Sequence, residues 1–111
     1  MVAYALFVQT DTVFRALADP SRRAIFEQLT HGEAAVKDLT ARFDISQPAV
    51  SQHLAVLRSA RLVRERRHGR HVYYRVEPKG LKPLVDWIAH YQAFWVERLD
   101  RLQTLLEEMD E

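Results

Sequence analysis

The chain has 111 residues, of which 48% are hydrophobic and 28% are charged, and these values fit one globular domain. It contains no cysteine, which excludes disulfides, thiolate metal sites and cysteine nucleophiles. The lack of cysteine also fits a reducing cytosol, so we expect a cytoplasmic protein. The apolar stretch 1–9 has no basic residue and is too short to cross a membrane, so we expect neither a signal peptide nor a membrane span.

The net charge of +1 conceals a separation of charge along the chain. Residues 58–75 contain seven arginines and one acid, Glu65, whereas residues 97–111 contain six acids and two arginines. A molecule that presents one side to a polyanion is expected to have such a basic region and a separate acidic end. The charge pattern therefore favours a nucleic acid as partner.

A first helix is predicted over residues 11–18. Val13, Phe14 and Leu17 recur there at helical spacing and so share one face. A longer helix is left open by three further apolar residues on the N-terminal side, Tyr4, Leu6 and Phe7.

A second helix is predicted between Asp19 and Gly32. Asp19 is a suitable N-cap, Pro20 is tolerated at the first helical position, and glycine is common just after a helix ends. Arg22 and Arg23 lie in the first turn, where the helix dipole disfavours cations. We assign both arginines to phosphates of the nucleic acid, and the alternative is a pair of ordinary surface side chains.

Two further helices joined by a tight turn form a predicted helix-turn-helix. The third helix covers residues 34–43, and only Asp44 and Ile45 separate it from Ser46. Asp44 suits the turn because aspartate tolerates the left-handed conformation better than most residues do. Ser46 is a good N-cap for the fourth helix, which continues to Ala60. In this motif the second helix of the pair is the recognition helix.

The outward face of the fourth helix is small, polar and uncharged at its start. Val50, Leu54 and Leu57 recur at helical spacing and are expected to face the core. The outward residues are Gln47, Pro48, Ser51, Gln52, Ala55 and Arg58. Glutamine and serine can donate to and accept from base edges, and small neighbours let a helix enter a major groove about 12 Å wide. An ordinary solvated face fits this helix, taken alone, equally well.

The period of the pattern changes from helix to strand after the fourth helix. Residues 62–77 form two runs on either side of His68-Gly69, and the alternation in the second run predicts a β-hairpin. Its tip holds three arginines and two histidines within residues 66–71. We interpret this hairpin as a wing whose tip contacts phosphates or a minor groove, and the alternative is a solvated charged turn. The side chains assigned to the contact are Arg67, His68 and Arg70.

The chain ends in one long predicted helix, residues 81–109. Its apolar residues step by three or four, which is nearly a heptad seam. They are Leu84, Ile88, Tyr91, Trp95, Leu99, Leu102, Leu106 and Met109. The preceding part, residues 11–77, is too small to cover this seam, so we expect a homodimer through the helix, assisted by Phe14. The alternative is a helix that folds back on its own domain, which accounts for its first half at most.

This order of elements, together with three motifs, resembles the ArsR/SmtB family of bacterial winged-helix repressors. The first motif is Phe-Arg-Ala-Leu-Ala-Asp-Pro-Ser-Arg-Arg at 14–23. The second is Ile-Ser-Gln-Pro-Ala-Val-Ser-Gln-His-Leu at 45–54, and the third is Gly-Arg-His-Val-Tyr-Tyr at 69–74. The resemblance spans residues 13–76, and the terminal helix fits by position.

The resemblance implies a mainly helical, winged helix-turn-helix fold with a small β-hairpin. It also implies a homodimeric repressor that binds an inverted repeat in double-stranded DNA and is released by an inducer. By this resemblance Gln47, Pro48, Ser51 and Gln52 lie at the major groove, and Arg70 lies on the wing.

The sequence departs from the metal-sensing members of that family. Some of them carry a cysteine pair on the third helix, and others bind zinc through aspartate and histidine ligands on the terminal helix. Here there is no cysteine, and Asp86 and His90 stand four apart with no later histidine. The chain therefore resembles the metal-independent branch, and we expect no metal and no other cofactor.

Two other classes of function were weighed against a DNA-binding regulator. An enzyme is disfavoured because Ser51 and His53, the nearest serine–histidine pair, stand two apart on a helix and do not face each other. No paired carboxylates, glycine-rich loop or metal-ligand spacing is evident in the sequence. The remaining alternative is a winged-helix module for protein interaction without specific DNA binding, although the arginines of the wing argue against it.

Overall fold

The structure, a computed structural model, describes residues 2–110; the side chains of residues 2–8 and of Ala93 lie outside the described part. The elements are α1 (Val2–Ala18), α2 (Pro20–Leu29), β1 (Ala34–Ala35), α3 (Val36–Arg42), α4 (Gln47–Ser59), β2 (Val63–His68), β3 (His71–Val76), a 3-10 turn (Pro78–Leu81) and α5 (Lys82–Met109). None of the helices within residues 2–110 combines the length and apolarity that a membrane span requires.

The mainly helical winged helix-turn-helix fold is confirmed, and its core lies between α1–α4 and the sheet. Ile25, Leu39, Leu54 and Leu57 have no exposed surface, and Tyr74 closes the core on the side of the hairpin. Burying a side chain of leucine size contributes roughly 1.5–3 kcal/mol to folding. The longer version of α1 is confirmed by its start at Val2, but the side chains of Tyr4, Leu6 and Phe7 lie outside the described residues.

Both predicted N-caps are confirmed. The backbone N–H of Arg22 donates to Oδ1 of Asp19 over 2.9 Å, and this hydrogen bond lowers the pKa of the Asp19 carboxyl. The backbone N–H of Ala49 donates to Oγ of Ser46 over 3.3 Å. These caps fix where α2 and α4 begin, and α4 carries the predicted recognition face.

The prediction of a third helix over residues 34–43 is wrong at its start. Ala34 and Ala35 form the short strand β1, which pairs antiparallel with β3, so the sheet has the order β1-β3-β2. Ala34 lies opposite Tyr74 in this pairing. A two-residue strand is too short to show an alternating pattern, and both alanines are buried, which also fits a helix.

The hairpin turn lies one residue later than predicted. His68 pairs with His71, so the two turn residues are Gly69 and Arg70 rather than His68 and Gly69. Gly69 has φ +62°, a conformation that glycine adopts without strain. A glycine at the first of two turn positions is typical of a tight hairpin turn. Arg70 is therefore at the extreme tip of the wing.

Among the described non-glycine residues, the left-handed conformation is found at Arg61 and not at Asp44. Arg61 has φ +62°, and among the described non-glycine residues it alone has a positive φ. The N–H of Arg61 donates to the carbonyl of Arg58 over 2.9 Å, and the N–H of Leu62 donates to that of Leu57 over 3.0 Å. This pair of bonds is the Schellman motif that ends many helices, with arginine where glycine is usual.

Gly80 closes the same corner of the molecule. A Cβ added at Gly80 would overlap the carbonyl oxygen of Arg61, so a side chain at this position would force the two segments apart. The turn before α5 is thereby packed directly on the turn after α4. The segment after α4 and the segment before α5 thus meet at a close backbone contact.

The terminal helix projects beyond the rest of the chain. The radius of gyration is 18.3 Å, compared with about 13 Å for a compact chain of this size. Leu84 is partly buried against the core of its own chain. The first turns of α5 therefore fold back on their own domain, as the alternative to a dimer seam predicted. Trp87 packs on Phe14 of α1 with ring centroids 5.3 Å apart. From Phe94 onward every described side chain of α5 is exposed.

Candidate nucleic-acid interface

The start of α4 and the tip of the wing share one cleft of about 280 Å³. Its lining includes Gln47 and Ser51 of α4, which we assigned to base edges. It also includes Arg67 and Arg70 of the hairpin, which we assigned to phosphates. The fold thus brings together the groups that we assigned separately to base edges and to phosphates. Arg67, Arg70 and the nearby Lys37 outnumber Glu65, the one acid in the lining, so the cleft favours an anionic partner.

Burial along α4 follows the helical spacing and leaves its polar face at the surface. Val50, Leu54 and Leu57 are buried, as the helical spacing predicted. The side chains predicted to face outward are all exposed: Gln47, Pro48, Ser51, Gln52, Ala55 and Arg58. Because no described neighbour covers the start of the helix, amide and hydroxyl groups are free to meet a base edge.

The period of two in the hairpin divides its side chains between two faces. Glu65 pairs with Tyr74 and Arg67 pairs with Val72, and these four residues lie on the face towards the core and α4. Arg66 pairs with Tyr73 on the opposite face. Arg67 therefore leans towards the recognition helix, whereas Arg66 points away from it.

Glu65 links the wing to the recognition helix. Its Oε2 accepts from Nη1 of Arg58 over 2.8 Å and from the hydroxyl of Tyr74 over 2.9 Å, and its Oε1 accepts from Nε of Arg67 over 3.3 Å. The bonds from Tyr74 and Arg67 hold the pKa of the Glu65 carboxyl below its ordinary value. Burial and the bond to Glu65 raise the pKa of the Tyr74 hydroxyl. Arg58 and Arg67 thus have a partner within the chain, in addition to their predicted contact with DNA.

Arg66 is held by a second carboxylate, that of Glu33. Its Nε donates to Oε2 of Glu33 over 3.1 Å and its Nη2 donates to Oε1 over 2.5 Å. The guanidinium lies 4.7 Å from the ring centroid of Tyr73, within the range of a cation–π contact. The bonds from Arg66 lower the pKa of Glu33. Several arginines of the basic region therefore stabilise the sheet, so the charge count overstates the charge available to a partner.

Arg22 and Arg23 have a role that the sequence analysis did not assign to them. Nη1 of Arg22 donates to the carbonyls of Arg15 and Ala16 over 3.3 Å each, and Nη1 of Arg23 donates to that of Leu17 over 3.0 Å. Helix-ending carbonyls accept from such cations and also gain from their charge. The arginines therefore cap the end of α1, and the half-buried Arg22 is poorly placed for a phosphate.

Lys37 is a candidate contact that the sequence analysis missed. It lies in the first turn of α3, is exposed, and lines the cleft beside Gln47 and Arg70. The signal available in the sequence was a lysine near the start of the first helix of the helix-turn-helix. That signal is weak on its own, because the position of Lys37 beside Gln47 and Arg70 depends on how α3 packs against α4 and the hairpin.

No metal centre is evident within residues 2–110. Groups of three or more histidine or acidic side chains close enough to hold a metal ion are absent from that part of the chain. Asp86, one of the two residues considered for zinc, accepts from Nζ of Lys82 over 2.8 Å.

Comparison with known proteins shows the family of the chain. Residues 17–66 match a family model described as a helix-turn-helix domain. The chain is 42% identical over 97 residues to the HTH-type transcriptional regulator Rv2034 of Mycobacterium tuberculosis, covering 87% of this chain and 88% of the relative.

Two solved structures extend the likeness to the whole architecture. The ArsR-like transcriptional regulator from Rhodococcus sp. RHA1 has a TM-score of 0.72 at 26% identity, covering 89% of this chain and 93% of that one. The homodimeric winged helix-turn-helix domain of Mb0332 from Mycobacterium bovis has a TM-score of 0.66 at 32% identity, covering 79% and 84%. With the motifs and the geometry of the cleft, these likenesses show that the chain belongs to the ArsR/SmtB family of DNA-binding transcriptional regulators and is not an enzyme.

Proposed function

We propose that the protein is a homodimeric transcriptional repressor that binds an inverted-repeat operator in double-stranded DNA. The observation that carries this proposal is the shared cleft, in which the polar face of α4 lies beside the arginines of the wing. A helix that enters the major groove and a hairpin that follows the adjacent backbone contact the duplex together. A bound dimer then represses by occupying the DNA that the transcription machinery needs.

We assign uncharged side chains to base edges and charged side chains to phosphates or the minor groove. Gln47 and Ser51 hydrogen-bond base edges, with Pro48 and Gln52 packed along the same groove. The proposed contacts to phosphate or the minor groove are Arg67, His68 and Arg70 on the wing, Lys37 on α3, and Arg23 and Arg58 at the margins. Arg22 is not included, because its guanidinium is half-buried and bonded to α1.

The proposed dimer forms through α5, which we take as the dimerisation helix, residues 81–109, beside a DNA-binding part, residues 11–77. Its exposed large apolar side chains are Val85, Ile88, Phe94, Trp95, Val96, Leu99, Leu102, Leu105, Leu106 and Met109. Exposed apolar surface of this extent marks an interface. Tyr91 and Phe14 flank the same stripe, and the homodimeric state of Mb0332 supports the same assembly here.

We also propose that the regulator needs no metal and that it acts in the cytoplasm. The absence of cysteine removes the strongest zinc ligands, and the histidines do not cluster within residues 2–110. The cytoplasm is proposed because it holds the DNA of the bacteria in which the relatives occur. Release by an inducer is part of the proposal.

The proposal is tested by selecting bound duplexes from a random DNA library with the full-length protein. We expect enrichment of an inverted repeat whose half-sites lie a whole number of helical turns apart, because the two recognition helices of a dimer share a two-fold axis. A parallel selection with Gln47→Ala is the matched control, and it should give a weaker consensus. If no sequence is enriched, specific DNA binding is excluded and the winged helix serves protein interaction instead.

A further inference from the structure

A second cavity lies where the end of α4 meets the start of α5. It has a volume of about 420 Å³ and is bounded by α1, the last turn of α4, the 3-10 turn and the first turn of α5. Its polar lining includes Thr12, Ser59, Arg61, Lys79, Lys82 and Asp86. Val13, Ala60 and Pro83 supply apolar wall. A cavity of this size and mixed lining lies within the range of small-molecule sites.

This cavity lies at the base of the hairpin, away from the proposed DNA contacts at the start of α4 and at the wing tip. Arg61 and Lys79 flank the base of the hairpin, which begins at Val63, whereas Arg70 forms its tip. The six residues of β2 span about 20 Å at the usual rise of a strand. A duplex held by the start of α4 and the wing tip therefore leaves Arg61 and Lys79 available, and of the proposed DNA contacts Arg58 is the one that lies beside them.

The lining has an excess of positive charge. Lys82 is paired with Asp86 over 2.8 Å. Among the described side chains Arg61 and Lys79 have no ion-pair partner, so two cations converge on the cavity without neutralisation. Arg61 also stands at a left-handed position that glycine occupies without strain. A backbone outlier of this kind supports a functional role for the side chain.

The cavity also opens away from the proposed dimer seam. Asp86 precedes Trp95 by nine residues, which at 100° per residue places the two on opposite sides of α5. A second chain packed on the Trp95 face leaves the cavity accessible. The site is therefore present in the assembly that binds DNA.

We propose that this cavity is a regulatory site for a small organic anion that carries a carboxylate or phosphate group. Arg61 and Lys79 bind the charged group, Ser59 and Thr12 lie within the same lining, and the apolar wall takes the carbon skeleton. Arginine binds either type of anion through two parallel N–H donors. The proposal rests on the proposed function, since it supplies the inducer of that repressor.

The position of the cavity explains how such an anion would act on DNA binding. Ser59 and Arg61 belong to the end of the recognition helix, and Lys82 and Asp86 belong to the helix that joins the protomers. An anion between them alters the angle between α4 and α5, and that angle sets the spacing of the two recognition helices. Because ligands shift an equilibrium by their differential affinity, an anion that prefers the unbound spacing lowers operator affinity.

Anion binding is tested on the full-length protein without DNA. Amide NMR spectra are recorded while inorganic phosphate, or separately citrate, replaces chloride at constant ionic strength; the two arms separate phosphate from carboxylate recognition. We expect saturable shifts centred on Ser59, Arg61 and Lys82. Arg61→Gly, which suits the local backbone, should weaken binding roughly fivefold or more by removing a charged donor. Arg75→Ala, which removes an exposed arginine elsewhere, should leave binding unchanged. Shifts that never saturate, or that weaken equally in both variants, would overturn the site.

Regulation is tested separately on the selected operator by fluorescence anisotropy. Saturation with the tighter of the two probes should weaken operator binding at least threefold in the unmutated protein, and Arg61→Gly should need a roughly fivefold or higher probe concentration for the same effect. An affinity unchanged within about twofold at saturation would overturn the regulatory role. If the protein binds no operator at all, the proposed function fails, while the NMR titration still decides whether the cavity binds anions.

Discussion

Arg58 on the recognition helix donates from Nη1 to Oε2 of Glu65 on the wing over 2.8 Å, and the same oxygen accepts from Tyr74. One carboxylate thus joins the helix assigned to base edges and the hairpin assigned to phosphates. Because both must fit one duplex at once, their separation matters as much as either surface. Glu65 is therefore a positioning residue for the interface, although its negative charge opposes the approach of DNA.

Glu65→Gln should destabilise the protein in a pH-dependent way. The folded-state pKa of Glu65 is lowered, so its stabilisation is fully present above the ordinary value of 4.5 and is lost as the pH falls through the lower folded value. Thermal unfolding at a series of pH values should show a constant deficit for the variant from about pH 7 to pH 5.5. That deficit should shrink below about pH 4.5. Glu27→Gln, at an exposed position on α2, is the control and should show little change at any pH.

Gln47→Ala and Arg70→Ala should weaken DNA binding in different ways. Loss of a base contact by Gln47 costs roughly 1–3 kcal/mol on the preferred operator and little on other DNA. Loss of the phosphate contact by Arg70 weakens binding to all sequences and lowers the slope of log affinity against log salt by about one unit. Fluorescence anisotropy on operator and scrambled duplexes across a salt series measures both effects.

The assignment of roles would be reversed by the opposite pattern. Arg70→Ala that changes the ranking of sequences at constant salt slope would show that the wing tip contacts bases. Gln47→Ala that weakens both duplexes equally would show that α4 contacts the backbone alone. Arg75→Ala, on the same strand as His71 but away from the tip, is the control for charge and should affect the slope less than Arg70→Ala.

Trp95→Asp should dissociate the dimer. The exposed Trp95 side chain lies in the middle of the α5 stripe, and an unpaired charge there costs about 3 kcal/mol or more in the assembled state. Dimer affinity should fall by at least about 100-fold, measured by sedimentation at micromolar concentration. Thr104→Asp adds the same charge nine residues later, on the opposite side of α5, and should leave the dimer intact. A monomeric unmutated protein at that concentration would contradict the assembly.

Arg61→Gly should stabilise the fold. The left-handed conformation costs an arginine about 1–2 kcal/mol, part of which is offset by the greater unfolded-state entropy of glycine. We expect the free energy of unfolding to rise by roughly 0.5–1 kcal/mol in chemical denaturation. Ala55→Gly, the same type of change at an exposed helical position of α4, should lower it by about 1 kcal/mol. Destabilisation by both changes would rule out strain at Arg61.

Metal removal should leave DNA binding unchanged. Treatment with a chelator, or addition of zinc, should alter operator affinity by no more than a factor of about two, because no metal-ligand cluster is evident within residues 2–110. The measurement is operator anisotropy with and without one equivalent of zinc. A tenfold loss of affinity on addition of zinc would place this chain with the metal sensors.

Local patterns predicted most of the fold, because each depends on residues close in sequence. The caps at Asp19 and Ser46 and the buried stripe of α4 follow from such patterns. Features that depend on distant partners were missed: β1 exists because Ala34 meets Tyr74, and Arg66 is held by Glu33. The exposed start of α4 was predicted correctly. The ion pairs that neutralise arginines of the wing could not be predicted, because they depend on which residues of neighbouring strands lie opposite each other.

The exposed stripe of α5 has a consequence for how the regulator responds to its own amount. In the proposed dimer, the distal half of α5 gains apolar partners only from a second chain, so folding of that half is linked to protomer concentration. Where monomers predominate, halving the number of chains lowers the number of dimers about fourfold. Cell growth without new synthesis would therefore lower the occupancy of the operator more steeply than it lowers the protein concentration. The apolar length of α5 sets the protein concentration at which the operator is released.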